Sequence, residues 1–166
     1  MKEGLNRLAW CVGLVLLQVL ILNHIHIAGY ATPFLYIYVI LKFQSDVSRN
    51  GILLWGFFLG LAVDMFSNTA GMNAIATVLL AFLQPILLRF FSIRDNLDVF
   101  KPSARAMGRW PFLRYLISGI LIHHFVLVGI EYFSFLSIKE MFLRVLLSSL
   151  LTLICIKGLE GISKQT

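Results

Sequence analysis

At 166 residues the chain is long enough for one domain, and its 59% hydrophobic content and mean hydropathy of +0.87 lie well above those of a soluble globule. Apolar runs with sparse charge place it among polytopic membrane proteins, and runs such as Leu14-Val15-Leu16-Leu17 lack the alternation that a spanning β-barrel requires. The net charge of +6 does not point to nucleic acid, because the basic residues sit between apolar segments rather than on a folded nucleic-acid module.

In chain order, Lys2 and Arg7 precede an apolar run over 8–22. The following Asn23-His24-Ile25-His26-Ile27-Ala28-Gly29 offers no small-x-small cleavage pattern, so the run reads as an uncleaved first span. The second span covers 33–43. It is short for a crossing of roughly 20 residues unless it begins near Ile27, with Pro33 as a kink or a first-turn proline. Tyr30, Tyr36 and Tyr38 suit an interfacial belt. A short charged loop leads to spans over 51–66 and 71–91, with Pro85 inside the fourth and Arg89 able to reach the headgroups. The segment 92–111, punctuated by Pro102, Gly108 and Pro111, is the one long hydrophilic loop. Spans over 112–135 and 138–159 and a polar tail complete an all-α, six-span, single-domain polytopic protein without an internal repeat.

Lysine and arginine orient the spans. With the N-terminus inside, the cytoplasmic segments hold Lys2, Arg7, Lys42, Arg49, Arg89, Arg94, Lys101, Arg105, Arg109, Arg114, Lys157 and Lys164, whereas the outer loops hold only Lys139. That asymmetry is the positive-inside pattern and sets both termini in the cytoplasm.

On the third span Gly56, Gly60 and Asp64 recur every four residues, with Asn68 next, so they share one face. Gly56-x-x-x-Gly60 admits close approach of another helix. A carboxylate inside a span costs about 2.5–3.5 kcal/mol on insertion scales and faces protein or a cavity. Asp64 reads either as an ion or proton site or as a buried anchor bonded to neighbouring donors. The anchor is favoured. Asp64, Glu131, Arg144 and the pair His24 and His26 all fall in the outer half of the membrane, and Asp64–Arg144 is the preferred ion pair, while Glu140, four residues from Arg144, can also pair with it.

No catalytic or metal constellation emerges. His24-x-His26 and His123-His124 lack companions, and H-E-x-x-H and G-x-S-x-G patterns are absent. Cys11 and Cys155 lie far apart in apolar runs, with no metal spacing or disulfide framework. The expectation is no enzyme, no cofactor and no metal. The 92–111 loop, with Leu97, Val99, Phe100, Met107 and Trp110 among its charges, reads either as a surface for the anionic leaflet or a cytoplasmic partner, or as a solvated connector.

Pro33-Phe34-Leu35-Tyr36-Ile37-Tyr38 and the run from Gly56 through Gly60-Leu61-Ala62-Val63-Asp64, Asn68 and Gly71 to Ala74, continued by Ala76, Thr77 and Pro85, resemble the bacterial rod shape-determining MreD family. The match covers about a third of the chain; the C-terminal half agrees in size and hydropathy only. The resemblance implies a fold similar to the substrate-binding S-components of energy-coupling-factor transporters. It also implies a non-catalytic inner-membrane role in the cell-elongation machinery of lateral peptidoglycan synthesis. There MreC is the main partner, with MreB, RodA and a class B penicillin-binding protein in the same assembly, membrane lipid around it and a homo-oligomer compatible with it. Gly60, Asp64 and Gly71 carry the family motif and are assigned to assembly. The alternative is the substrate-binding subunit of such a transporter for a vitamin or metal, although the first span, with Ala9, Gly13 and Gln18, lacks that family's closely spaced alanines. An ion or proton channel around Asp64 and Glu131 is a third class.

Overall fold

Hydropathy alone makes helices of most of this chain, since a helix satisfies its backbone polar groups internally. In the computed structural model, residues 2–24, 31–92, 99–132 and 138–163 are described. Of the residues named above, Ile25, His26, Ile27, Ala28, Gly29, Tyr30, Arg94, Leu97 and Lys164 lie outside the described residues, as do the side chains of Lys2, Arg7 and His24. The elements are α1 (Lys2–Leu20), α2 (Tyr38–Leu41), α3 (Arg49–Ser67), α4 (Met72–Phe91), α5 (Ala104–Met107), α6 (Arg109–Tyr132) and α7 (Ile138–Ser163). Short 3-10 turns cover Leu22–His24 and Leu35–Ile37. Among the described residues, four helices (α3, α4, α6 and α7) are long and apolar enough to cross a membrane, while α1 offers the shorter apolar stretch Ala9–Leu20. This is a helical protein with the character of a multi-pass membrane protein.

Successive long helices pack on one another: α3 on α4, α4 on α6, α6 on α7, with α1 along α3. Their outward faces carry exposed Leu54, Phe57, Phe58 and Met65 on α3, Ile75, Phe82 and Ile86 on α4, and Phe142, Leu146, Leu150 and Ile154 on α7. An apolar skin of this kind suits hydrocarbon. The α3–α4 turn is set by two left-handed residues, Asn68 at φ 53° closing α3 and Gly71 at φ 79° opening α4. A Cβ on Gly71 would meet nothing within 4 Å, so Gly71→Ala is charged only for the backbone conformation. The expected loss is about 1–2 kcal/mol in denaturant unfolding of the detergent-solubilised protein. A neutral result would mean that the turn relaxes to another conformation.

The segment expected as the second span departs from a continuous helix. Only Tyr38–Leu41 is α-helical, and that single turn rises about 6 Å, far short of the roughly 30 Å hydrocarbon core. Pro33 supplies no N–H and disfavours helical geometry in Thr32. The amides that a helix would have paired are taken by side chains instead. Thr32 N–H donates to Ser148 Oγ (3.1 Å), Phe34 N–H to Thr152 Oγ1 (3.0 Å) and Leu35 N–H to Gln18 Oε1 (2.8 Å). Gln18 Nε2 returns a bond to Pro33 O (2.8 Å). Non-helical backbone survives at membrane depth only where it is wrapped in protein, and Tyr36, Ile37, Ile40 and Leu41 have no exposed surface. Further on, Tyr115 Oη donates to Leu41 O (2.9 Å) and Gln84 Nε2 to Phe43 O (3.3 Å).

The opposite end of the bundle from the α3–α4 turn is closed by a charged clasp. Lys42 Nζ lies 2.9 Å from Glu160 Oε1 and donates to Pro102 O at 2.9 Å, and Tyr38 Oη donates to the same Glu160 oxygen at 3.0 Å. Phe100 exchanges two bonds with Ser45, each 3.2 Å long. Ser103 caps α5 through Ala106 N–H (3.1 Å), and Met107 is buried. The described part of the hydrophilic loop is therefore pinned to the bundle rather than strung as a solvated connector, leaving Val99 and Trp110 exposed.

Candidate functional site

Asp64 sits on the last turn of α3 and is 3% exposed. Its carboxylate occupies the N-terminal end of α4. Oδ1 accepts from Asn73 N–H (3.0 Å), from Asn73 Nδ2 (2.9 Å) and from the Thr69 hydroxyl, and Oδ2 accepts from Ala74 N–H (2.8 Å). Asn73 and Ala74 are in the first turn of α4, whose amides have no partner within the helix. The negative charge also lies at the positive end of the helix dipole. Gly71, which opens α4, has no side chain to cap it. Asp64 supplies that cap from the neighbouring helix.

The glycines make the reach short enough. A Cβ on Gly60 would fall 2.5 Å from Ala74 Cα and 2.7 Å from Asn73 O, and one on Gly56 would fall 2.8 Å from Ala81 Cβ. Gly56 and Gly60 let α3 lie directly on the Asn73–Ala74–Thr77–Ala81 face of α4, a small-residue crossing.

From Asp64 a chain of hydrogen bonds enters the core. With Asn73 Nδ2 on the carboxylate, Asn73 Oδ1 faces Tyr36 and takes its O–H at 3.0 Å. The Tyr36 oxygen therefore accepts at 3.0 Å from His123 Nε2, which carries the proton. His124 is protonated on the other nitrogen, because Nδ1 meets Ile120 O at 2.8 Å and a carbonyl only accepts. Its Nε2 meets Thr152 Oγ1 at 3.1 Å. Both histidines are fully buried, as are Gln18, Thr77 and Thr152.

Beside this chain, at the end of the bundle where α3 turns into α4, opens a cavity of about 360 Å³. Asn23, Ser67, Thr69 and Asn73 line one part of it, with Thr32, Ser148, Arg144 and Glu131 on the side of α6 and α7. Phe34, Phe66, Met72, Leu127 and Val128 add apolar wall. Gln18 Nε2 holds Asn23 Oδ1 (2.9 Å), and Asn23 Nδ2 donates to Ser67 Oγ (2.7 Å).

The residues singled out by sequence thus divide into two groups. Gly56, Gly60 and Asp64 meet α4, with Asn68 and Gly71 in the turn beside them; Glu131 and Arg144 stand on the cavity wall. The expected Asp64–Arg144 ion pair is replaced, because the Asp64 oxygens are filled by Thr69, Asn73 and Ala74, which lie closer along the chain. Tyr36, Asn73, Thr77 and Gln84 join the polar network, and Lys42 and Glu160 the clasp, without a periodic signal in the sequence, whereas Ser148 and Thr152 share a four-residue period with Glu140 and Arg144. The available signal was the isolation of Gln18, Asn73 and Gln84 in apolar runs, since a polar side chain in lipid turns toward protein. Among the described residues no group of three or more His, Cys, Asp or Glu side chains is placed to hold a metal ion. No protein-family model matches the chain, and neither a curated protein nor a solved structure resembles it significantly.

Proposed function

We propose that the chain is a non-catalytic scaffold of the bacterial inner membrane, of the kind that the MreD resemblance implies. In this reading it crosses the membrane six times with both termini in the cytoplasm, the second crossing being the partly unwound 33–43 segment. It binds an MreC-like partner and supports the peptidoglycan synthesis of cell elongation beside MreB, RodA and a class B penicillin-binding protein. The observation that carries the proposal is the saturation of the Asp64 carboxylate by four donors within its own hairpin. A carboxylate so engaged fastens two helices together and has little capacity left to bind an ion or shuttle protons, which favours the motif as an assembly element.

The test is affinity purification of the tagged chain from a rod-shaped host that carries it. Recovery of a partner with one span and an extracytoplasmic domain, together with rounding of cells on depletion, is the expected result. Normal rods after depletion would sink the reading.

The cavity favours a second reading, a substrate-binding subunit of an energy-coupling-factor type of transporter. Its volume of about 360 Å³ and mixed polar and apolar lining suit a small ligand. Under this reading the purified protein retains a stoichiometric small molecule, seen by mass spectrometry after denaturation, and depletion leaves the cells rod-shaped.

A further inference from the structure

We infer that the cavity at the α3–α4 turn is a binding site for a small zwitterion, with the dimensions of a free amino acid or a dipeptide. It goes beyond the scaffold reading, and where the ligand-subunit reading holds it names the substrate class and rests on that reading. The volume of about 360 Å³ is at the small end of the roughly 300–1,000 Å³ typical of ligand sites.

The hydrogen-bond inventory of the lining gives the polarity. Ser67 Oγ accepts from Asn23 and Ser148 Oγ accepts from Thr32 N–H, so each serine retains its own O–H for another acceptor. Asn23 uses one amide hydrogen on Ser67 and has a second. With the Arg144 guanidinium these groups form a donor-rich wall, complementary to carboxylate and carbonyl oxygens. Glu131 supplies a carboxylate on the same lining, complementary to an ammonium group. Arg144 and Glu131 are the charged residues of the described lining and their formal charges cancel. A ligand with net charge would leave that charge uncompensated on leaving water, whereas a zwitterion would not.

The donors are also held in place. Gln18 has no exposed surface, yet it bonds Asn23, which in turn bonds Ser67. A buried side chain that orients a lining group is the mark of a preorganised site rather than a packing gap.

The test uses the full chain in lipid nanodiscs, with the free L-amino acids and their simple dipeptides as probes. The N-acetylated and C-amidated forms of each serve as charge controls. At least one zwitterion is expected to raise the melting temperature saturably, and its acetylated and amidated forms are expected to bind about tenfold more weakly. Glu131→Gln, at an exposed position, should weaken the zwitterion by about tenfold while leaving its acetylated form unchanged. Ser67→Ala is the second variant, read only after its ligand-free melting matches the parent. The inference is overturned if no zwitterion gives a saturable shift, if the charge controls bind equally well, or if both variants bind like the parent. A different small molecule retained through purification, without zwitterion binding, would overturn it yet leave the ligand-subunit reading standing.

Discussion

Replacing Asp64 with alanine is expected to remove about 3–5 kcal/mol of stability, the large end of single-substitution effects, reached when a buried hydrogen-bond network loses its shared acceptor. Four donors lose their acceptor at once: the amides of Asn73 and Ala74, the Asn73 side-chain amide and the Thr69 hydroxyl. Each stranded donor costs about 1–3 kcal/mol when buried. The sum is not reached, because Thr69 and Asn73 border the cavity and water from it can serve some of them. Asp64→Asn keeps one acceptor oxygen but presents an amide to the remaining donors, so about half the loss is expected. Denaturant unfolding in detergent and steady-state abundance in the membrane should rank the proteins parent, asparagine, alanine. An alanine variant within about 0.5 kcal/mol of the parent would mean that α4 finds another cap.

The second large effect belongs to Gly60. In Gly60→Ala the new methyl would stand 2.5 Å from Ala74 Cα and 2.7 Å from Asn73 O, both backbone atoms that cannot rotate away. The helices must separate, at about 2–3 kcal/mol or more, as for other overpacked cores. Gly13→Ala, where nothing lies within 4 Å, is the control and is expected to be neutral or slightly stabilising. Parting α3 from α4 also draws Asn73 and Ala74 away from Asp64. The Gly60→Ala and Asp64→Ala losses should therefore be less than additive, with a coupling of about 1 kcal/mol or more. Strict additivity would show that the crossing and the cap act independently.

The long helices were legible because hydropathy and the backbone's need for internal partners act locally. Thus 51–66 and 71–91 fall within a residue or two of α3 and α4, and 138–159 falls within α7. The shared face of Gly56, Gly60 and Asp64 was legible for the same reason, its period being that of one helix. Its partner surface was harder to read, because Asn73 and Thr77 look like isolated polar residues until α3 is laid against α4. The break at 31–37 was least legible. Its amides are satisfied by Gln18, Ser148 and Thr152, which are far away in sequence, and Pro33 alone marks a kink as readily as an unwound turn. Arg144 was read by charge toward Asp64, but proximity along the chain gave that carboxylate to Thr69, Asn73 and Ala74 first.

The distant side-chain acceptors that serve the amides of 31–35 also impose an order on biogenesis. Thr32 and Phe34 donate to Ser148 and Thr152, 116 and 118 residues later. During synthesis those amides must wait through the emergence of α3, α4 and α6 without protein partners, and in hydrocarbon each would cost several kcal/mol. The segment therefore cannot settle into its native path when it leaves the ribosome. It has to remain in the aqueous translocation channel or at the headgroup layer until α7 arrives, which makes the last helix the closing stitch of the fold. With Cys11 and Cys155 replaced by serine and Ala31→Cys introduced, nascent chains arrested before residue 148 should leave position 31 open to water-soluble cysteine reagents, and chains released after α7 should not.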